Sequence, residues 1–228
     1  MNVESLPALP CPATPADFIR RGGEVEECDL WEMSPSRIWW GDEWWRDAVA
    51  LLHALFLPGE WVNCGKAWET HAVRRREDWV ASWKRGEEIP PFVCVNPLRG
   101  EGRRGDENLA AFRHAVAKLP ALPIDLQARF WAGWGLDSVA AVVHSGGQSL
   151  HVVLRVDAAG AREWERDVRD GLFGKRLVPL GVPVSCASPS CLVRLAGAAR
   201  QDRSGTPGTR QRLVFVRGEL GAWGGMGK

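Results

Sequence analysis

The feature that most constrains this chain is the run at residues 142–156, in which a short glycine turn separates two apolar segments. Both segments are rich in Val, and residues branched at the β-carbon favour extended strands. Ser145, Gly146 and Gly147 stand between them, and glycine allows backbone angles and close approaches that a β-carbon forbids. The pattern predicts two antiparallel strands joined by a turn that exposes backbone N–H groups.

The turn also carries chemistry that suits an anion. The hydroxyls of Ser145 and Ser149 can donate hydrogen bonds beside the exposed N–H groups, and His151 adds a donor at the same edge. A plain hairpin with an incidental histidine remains an alternative interpretation. The residue types favour a phosphate site.

The string SGGQSLH at residues 145–151 resembles the second motif of the archaeo-eukaryotic primase superfamily, in the primase-polymerase branch of plasmids, phages and other mobile elements. Other segments are similar to further motifs of that family, in the family's order. They read ADFIRRGGEV and DLWE near the start, FVCVNPL at 92–98, SPSCLVRLAGAAR at 188–200 and QRLVF at 211–215. The resemblance therefore extends from about residue 16 to residue 217.

The resemblance implies an α+β fold: a primase-polymerase catalytic core with an RRM-like mixed or antiparallel sheet, fronted by a smaller N-terminal α/β unit. Strands interleaved with helices favour the same class. Residues 1–15 contain four prolines and are expected to form a disordered arm. The primase-polymerase-like domain is expected at 16–217, followed by a glycine-rich tail at 218–228.

Nucleotide or phosphate contacts are implied, by resemblance, for residues of the turn and of the later arginine segment: Ser145, Gly146, Gly147, Ser149, His151, Arg194 and Arg200. Two positive charges of the family pattern are missing. Gln148 replaces the usual lysine of the turn, and Cys191 replaces the first arginine of the later segment.

Catalysis in this family depends on carboxylates that hold two divalent metal ions. The acidic pair precedes an LPxxxQ segment, which matches residues 122–127 and aligns Lys118 and Pro120 with the two acids. The third acid should follow a Leu-Gly, where this chain has Pro183. A lysine at such a position repels Mg²⁺. These degenerate positions predict a crippled nucleotidyl-transfer centre with no catalytic residue and no metal ligand.

Three nearby acids are the available substitutes: Asp125, Asp137 and Asp157. Asp125 is expected at a helix N-cap, Asp137 in a helix-to-strand turn and Asp157 at a strand end. No cofactor is expected unless catalysis is retained, in which case Mg²⁺ or Mn²⁺ is required.

Two functions remain open. One is a degenerate primase-polymerase-like domain of a mobile-element replication protein, which binds phosphates without polymerising. The other is an active DNA primase or polymerase that synthesises primers on single-stranded DNA with non-standard acids. Either function implies a nucleoside triphosphate and single-stranded DNA as partners, and a replication helicase as a further candidate.

Composition limits the remaining classes. The chain has 228 residues and a net charge of +1, so any nucleic-acid contact must rest on local patches. Six scattered cysteines without a C-x-x-C pair, and no signal peptide, fit a reducing cytoplasm. No apolar run reaches the roughly 18 residues that a membrane span needs.

Thirteen tryptophans include a cluster at Trp31, Trp39, Trp40, Trp44 and Trp45. A buried core or interface and a stacking platform for unpaired bases both remain open, and the first is favoured because few cations flank the cluster. The arginines at 74–76 begin a predicted polar helix to Gly86, either solvated or in contact with phosphate. Residues 109–119 have helical propensity, but family position favours a strand over 113–118.

Overall fold

The computed structural model describes residues 13–39, 41–66, 71–201, 207–218 and 220. In these ranges the helices are α1 (Pro15–Gly22), α2 (Glu27–Glu32), α3 (Trp45–Leu55), α4 (Arg76–Lys84), α5 (Ile124–Trp134) and α6 (Ala161–Glu163), which continues as a π-helix over Trp164–Leu177. Short 3₁₀ segments lie at Asp106–Asn108 and Val184–Ala187.

The strands described are β1 (Trp61–Gly65), β2 (His71–Arg75), β3 (Phe92–Cys94), β4 (Phe112–Ala117), β5 (Val139–His144), β6 (Leu150–Ala158), β7 (Leu192–Arg194), β8 (Ala199–Gln201), β9 (Pro207–Arg210) and β10 (Arg212–Val216). The first sheet has the order β2-β1-β3-β7 and the second the order β10-β5-β6-β4, while β8 pairs with β9 alone. Every pairing is antiparallel. The α+β class with antiparallel sheets is therefore confirmed, and β7 joins the N-terminal strands from late in the chain.

The second sheet separates two apolar cores because successive side chains of a strand point to opposite faces. On β6, Leu150 and Val152 belong to the core that contains α5 and the π-helix. Val153 belongs to the other core, with α3 and the first sheet. His151 shares the face of Val153, so it lies on the side of the second sheet that faces β1, β3 and β7.

Several element predictions change in the structure. The conflict at residues 109–119 is decided for a strand, because β4 pairs along β6. The helix predicted from Arg74 begins at Arg76, since Arg74 and Arg75 belong to β2. Pro123, not Asp125, is the N-cap of α5.

The predicted arm lies mostly outside the described residues, and its last residue is the first of α1, which the Thr14–Asp17 capping box begins. Most of the predicted tail also lies outside them. Within the described ranges, no helix combines the length and apolar character needed to cross a membrane.

Candidate phosphate-binding site

The predicted turn joins β5 and β6 and closes through its serines. The N–H of Ser145 donates to the carbonyl of Ser149 at 2.9 Å, and the N–H of Ser149 donates to Oγ of Ser145 at 3.3 Å. Gly146 has φ +70 and donates its N–H to Nδ1 of His144 at 3.1 Å. Among the described residues, the N–H groups of Gly147 and Gln148 have no acceptor. Two donors of the turn are therefore available to an anion.

Gln127 fixes the turn to α5. Its side chain is fully buried, and its Nε2 donates to the carbonyls of Leu122 and Gln148 at 2.7 and 3.0 Å. Its Oε1 accepts the N–H of Leu150 at 2.8 Å. The sequence comparison used Gln127 only to align the motif, so this positioning role was missed. It explains why a carboxamide, which donates and accepts, stands there.

Arg200 and β9 cover the turn from the other side. A β-carbon on Gly147 would lie 1.5 Å from Nη1 of Arg200, so the guanidinium occupies the space above this glycine. A β-carbon on Gly146 would lie 2.7 Å from the carbonyl oxygen of Thr209, whose hydroxyl donates to the Gly146 carbonyl. Backbone atoms therefore require a glycine at 146, and the guanidinium of Arg200 lies beside the turn at Gly147.

Lys118, which directly follows β4, lies next to His151 on the neighbouring strand β6. Ala117 pairs with Val152, so continuing the β4–β6 register by one residue places Lys118 opposite His151. Burial, with smaller contributions from the charges of Lys118 and Arg194, lowers the pKa of His151 to about 3. The ring is therefore neutral at pH 7, and its buried Nδ1 has no hydrogen-bond partner among the described residues.

Arg194 lies near both His151 and Arg200. It is half-buried on β7, and its guanidinium lies over the Phe92 ring at 4.2 Å from the centroid. Burial lowers the pKa of Arg194, and the neighbouring Arg200 adds to that shift. Within the described residues no carboxylate forms an ion pair with Lys118, Arg194 or Arg200. We call these three side chains with His151 and the turn at residues 145–149 the phosphate cradle.

The three residues that the resemblance aligns with metal-binding acids provide no ligand for a hard divalent cation. Lys118 carries an ammonium, and Pro120 and Pro183 have no side-chain oxygen. Pro120 is exposed in the turn after β4, and Pro183 is the N-cap of the 3₁₀ segment that contains Cys186. Burial raises the pKa of the Cys191 thiol to about 12, and Lys118 opposes that shift. The donor set here does not fit Mg²⁺ or Mn²⁺.

The three substitute acids are an exposed helical residue and two residues close to arginines. Asp125 is exposed in the first turn of α5, and Asp137 lies in the predicted turn, 4.0 Å from Arg217. Asp157 lies within β6, not beyond its end, and forms an ion pair with Arg155. In the described part of the chain, no three His, Cys, Asp or Glu side chains form a group that could hold a metal ion.

Asn96, in the segment that resembles the NPL motif, has a structural role that the sequence did not reveal. Its Nδ2 donates to the carbonyls of His114 and Pro189, each at 2.8 Å. Its Oδ1 accepts the N–H groups of Arg113 and His114 at 2.8 and 2.9 Å. This fully buried carboxamide joins β3, β4 and the segment before β7, and so fixes the strands that carry Lys118 and Arg194.

The arginine run makes contacts within the molecule. Arg74 lies over the Trp79 ring and pairs with Glu87 at 3.3 Å. Arg75 lies over the Trp61 ring, and Arg76 donates to the Phe56 carbonyl at 3.0 Å. Arg75 is nevertheless exposed to solvent, and the run belongs mainly to β2 and not to a helix face.

The tryptophan cluster is divided between core and surface. Trp31 and Trp45 are half-buried against the core around α3. Trp39 is 42% exposed, and Trp40 lies outside the described residues. The cluster thus has half-buried members and an exposed member.

Fold and site together define an α+β protein with a cationic cradle around a glycine turn. No protein family model matches the chain, and no curated protein matches it. Among solved structures, the AEP domain of the primase-polymerase (PrimPol) of cyanophage S-2L is similar, with a TM-score of 0.47 and 16% sequence identity. The match covers 74% of this chain and 87% of that chain.

Proposed function

We propose that this chain is a primase-polymerase-like domain of a mobile-element DNA replication protein, which binds nucleotide and nucleic-acid phosphates through the SGGQSLH turn. The ordered motifs between about residue 16 and residue 217 support the family. The partners in this proposal are a nucleoside triphosphate and single-stranded DNA, in the cytoplasm, with a replication helicase as a further partner.

The observation that carries the proposal is the position of Lys118 opposite His151. Arg194 lies close enough to His151 to affect its pKa, and Arg200 lies close enough to Arg194 to do the same. Cations that lack carboxylate partners attract an anion, and the free N–H groups of Gly147 and Gln148 can bond its oxygens. A polyphosphate satisfies both requirements. The protein's own cations then balance charge that divalent metals balance in metal-dependent sites.

Nucleotidyl transfer is impaired in this proposal. An attacking hydroxyl needs a metal or a base to activate it, and the residues at the acidic positions supply neither a carboxylate nor another oxygen ligand. Lys118 can orient and neutralise a phosphate, but as an ammonium it cannot accept a proton. The cradle binds and positions phosphate without a group to start the reaction.

Calorimetric titration with a deoxynucleoside triphosphate in EDTA tests the binding. We expect Lys118→Met and His151→Ala each to weaken it about tenfold or more, because a hydrogen bond to a charged group contributes roughly 1.5–3 kcal/mol. Lys175→Met, at an exposed position of the π-helix, is the matched control and should bind as the wild type does. Unchanged affinity in both cradle variants would remove the site.

The alternative is an active DNA primase or polymerase that uses non-standard acids. Primer synthesis on a single-stranded template with Mn²⁺ distinguishes the two, because the degenerate domain yields no product. If product forms, Asp157→Asn identifies whether the acid of β6 supports it.

A further inference from the structure

A second site lies beyond β9, beside the start of α3. A cavity of about 190 Å³ opens there, and Trp39 and Trp44 are among the residues that line it. The remaining lining consists of Ile38, Gly41, Asp42, Asp47, Arg212 and Leu213. Aromatic side chains beside charged and polar groups are the features that bind a planar ring with hydrogen-bonding edges.

Trp39 is available for stacking. It is 42% exposed, which is high for a tryptophan, and the guanidinium of Arg46 lies 4.5 Å from its ring centroid. A β-carbon on Gly41 would lie 2.9 Å from Nε1 of Trp39, so this glycine lets the indole fold back along the chain. The exposed ring is thereby held at the cavity.

Asp47 supplies a hydrogen-bond acceptor in the lining of the cavity. Only 6% of it is exposed, and its Oδ2 accepts the N–H of Leu213 at 3.1 Å. Among the described residues, no donor bonds its other oxygen. Burial raises the pKa of Asp47 to about 6 even though the Leu213 N–H and Arg212 act in the opposite direction, so the carboxylate form predominates at pH 7.

The cavity adjoins the phosphate cradle through β9. Thr209 donates its hydroxyl to the carbonyl of Gly146 in the turn, and the next residue, Arg210, lies 5.2 Å from the centroid of the Trp44 ring. Lys84 and Arg46 lie over the Trp45 ring at 5.8 and 5.0 Å. Cations interleaved with indoles are the pattern of surfaces that bind single-stranded nucleic acid.

We propose that this cavity receives one unpaired base of a single-stranded nucleic acid. The base stacks on Trp39, and its exocyclic amino group donates a hydrogen bond to the Asp47 carboxylate. Carboxylates accept from the N4 amino group of cytosine in this way, and thymine has no such group. The inference rests on the proposed function, since it gives the bound nucleic acid a contact separate from the cradle.

Fluorescence anisotropy with labelled oligodeoxycytidine and oligothymidine tests the proposal, and calorimetry with inorganic tripolyphosphate serves as the cradle readout. We expect Trp39→Ala to weaken single-strand binding at least about fivefold, because stacking contributes roughly 1–3 kcal/mol per base. We expect Asp47→Asn to reduce the preference for oligodeoxycytidine over oligothymidine. Both variants should bind tripolyphosphate as the wild type does.

Met33→Ala is the matched control, because Met33 is 51% exposed and does not line the cavity. The proposal is overturned if Trp39→Ala binds the oligonucleotides unchanged, if a duplex binds as tightly as a single strand, or if free deoxycytidine monophosphate competes as well as the strand does. Tripolyphosphate binding without oligonucleotide binding overturns this inference alone. Failure to bind either ligand overturns the proposed function as well.

Discussion

The guanidinium of Arg200 lies directly over Gly147, with Nη1 1.5 Å from the point where a β-carbon would stand. The two residues are far apart in the chain, and the β8–β9 pair holds them together beside the β5–β6 turn. A glycine is needed there for the arginine to reach the exposed N–H groups. The arginine and the exposed N–H groups therefore lie together, as the proposed anion site requires.

Gly147→Ala is expected to displace Arg200 and to weaken tripolyphosphate binding about tenfold, because one charged contact is lost. The free energy of unfolding should change by less than about 1 kcal/mol, since only the end of a flexible side chain must move. Calorimetry and urea unfolding measure the two quantities. Gly102→Ala, at a glycine with open space around it, is the control. Undiminished affinity in Gly147→Ala would show that Arg200 does not contact the ligand.

Gln127→Leu is expected to lower the free energy of unfolding by about 2–4 kcal/mol, because the buried N–H of Leu150 and two carbonyls lose their partner. It should also weaken tripolyphosphate binding, since the turn is no longer tied to α5. Urea denaturation followed by circular dichroism gives the stability. Gln148→Leu, whose side chain is exposed, should stay within about 0.5 kcal/mol of the wild type. Equal stability of the two variants would contradict this role.

The local sequence pattern predicted the turn, but the candidate site depends on contacts between residues that are far apart in the chain. Glycine, serine and valine at residues 142–156 specify a hairpin within one short segment. The contact of Arg200 with Gly147 and the register of Lys118 with His151 depend on strands that are far apart in the chain. Neither contact can be predicted from a local sequence pattern. The family resemblance identified the arginines as candidates, and the structure shows which residues lie beside them.

β4 and the π-helix show two ways in which tertiary structure overrides propensity. β4 is buried along almost its whole length, and a short apolar run of this kind cannot be told from a buried helix by periodicity. Pairing with β6 decides it. Gly171 and Gly174 weaken the helical pattern on either side of Leu172, but burial of Phe173 and Leu177 favours continuation of the helix to Leu177.

Polyphosphate binding is expected to raise the pKa of His151. In the free protein, burial, Lys118 and Arg194 lower that pKa to about 3, and an anion beside the ring favours the protonated form. An NMR titration of the histidine Cε1–H signals, with and without tripolyphosphate, should show an increase of about one unit or more. His114, buried away from the turn, serves as the internal control. A His151 pKa that is identical in both states would exclude the ring from the site.

His114 is expected to make the protein less stable in acid. Burial lowers its pKa from 6.5 to about 3, and the nearby Arg113 acts in the same direction. Between these values the unfolded chain binds a proton that the native ring does not, so the free energy of unfolding falls as pH decreases from 6.5 towards 3. The full loss is at most about 5 kcal/mol.

Urea unfolding at pH 7 and pH 4.5 measures this linkage. His114→Leu removes the titrating group and should lose less stability than the wild type over the same interval. A wild type and a variant with the same pH dependence would contradict the assignment to His114.

The central claim is that side-chain cations take the place of metal ions in holding phosphate. Calorimetric titration of the wild-type chain with inorganic tripolyphosphate, in EDTA and again with Mg²⁺, tests it most directly. We predict binding in EDTA that Mg²⁺ leaves unchanged or weakens, because the metal neutralises the charge that Lys118, Arg194 and Arg200 attract. Binding that occurs only when Mg²⁺ or Mn²⁺ is present would contradict the claim.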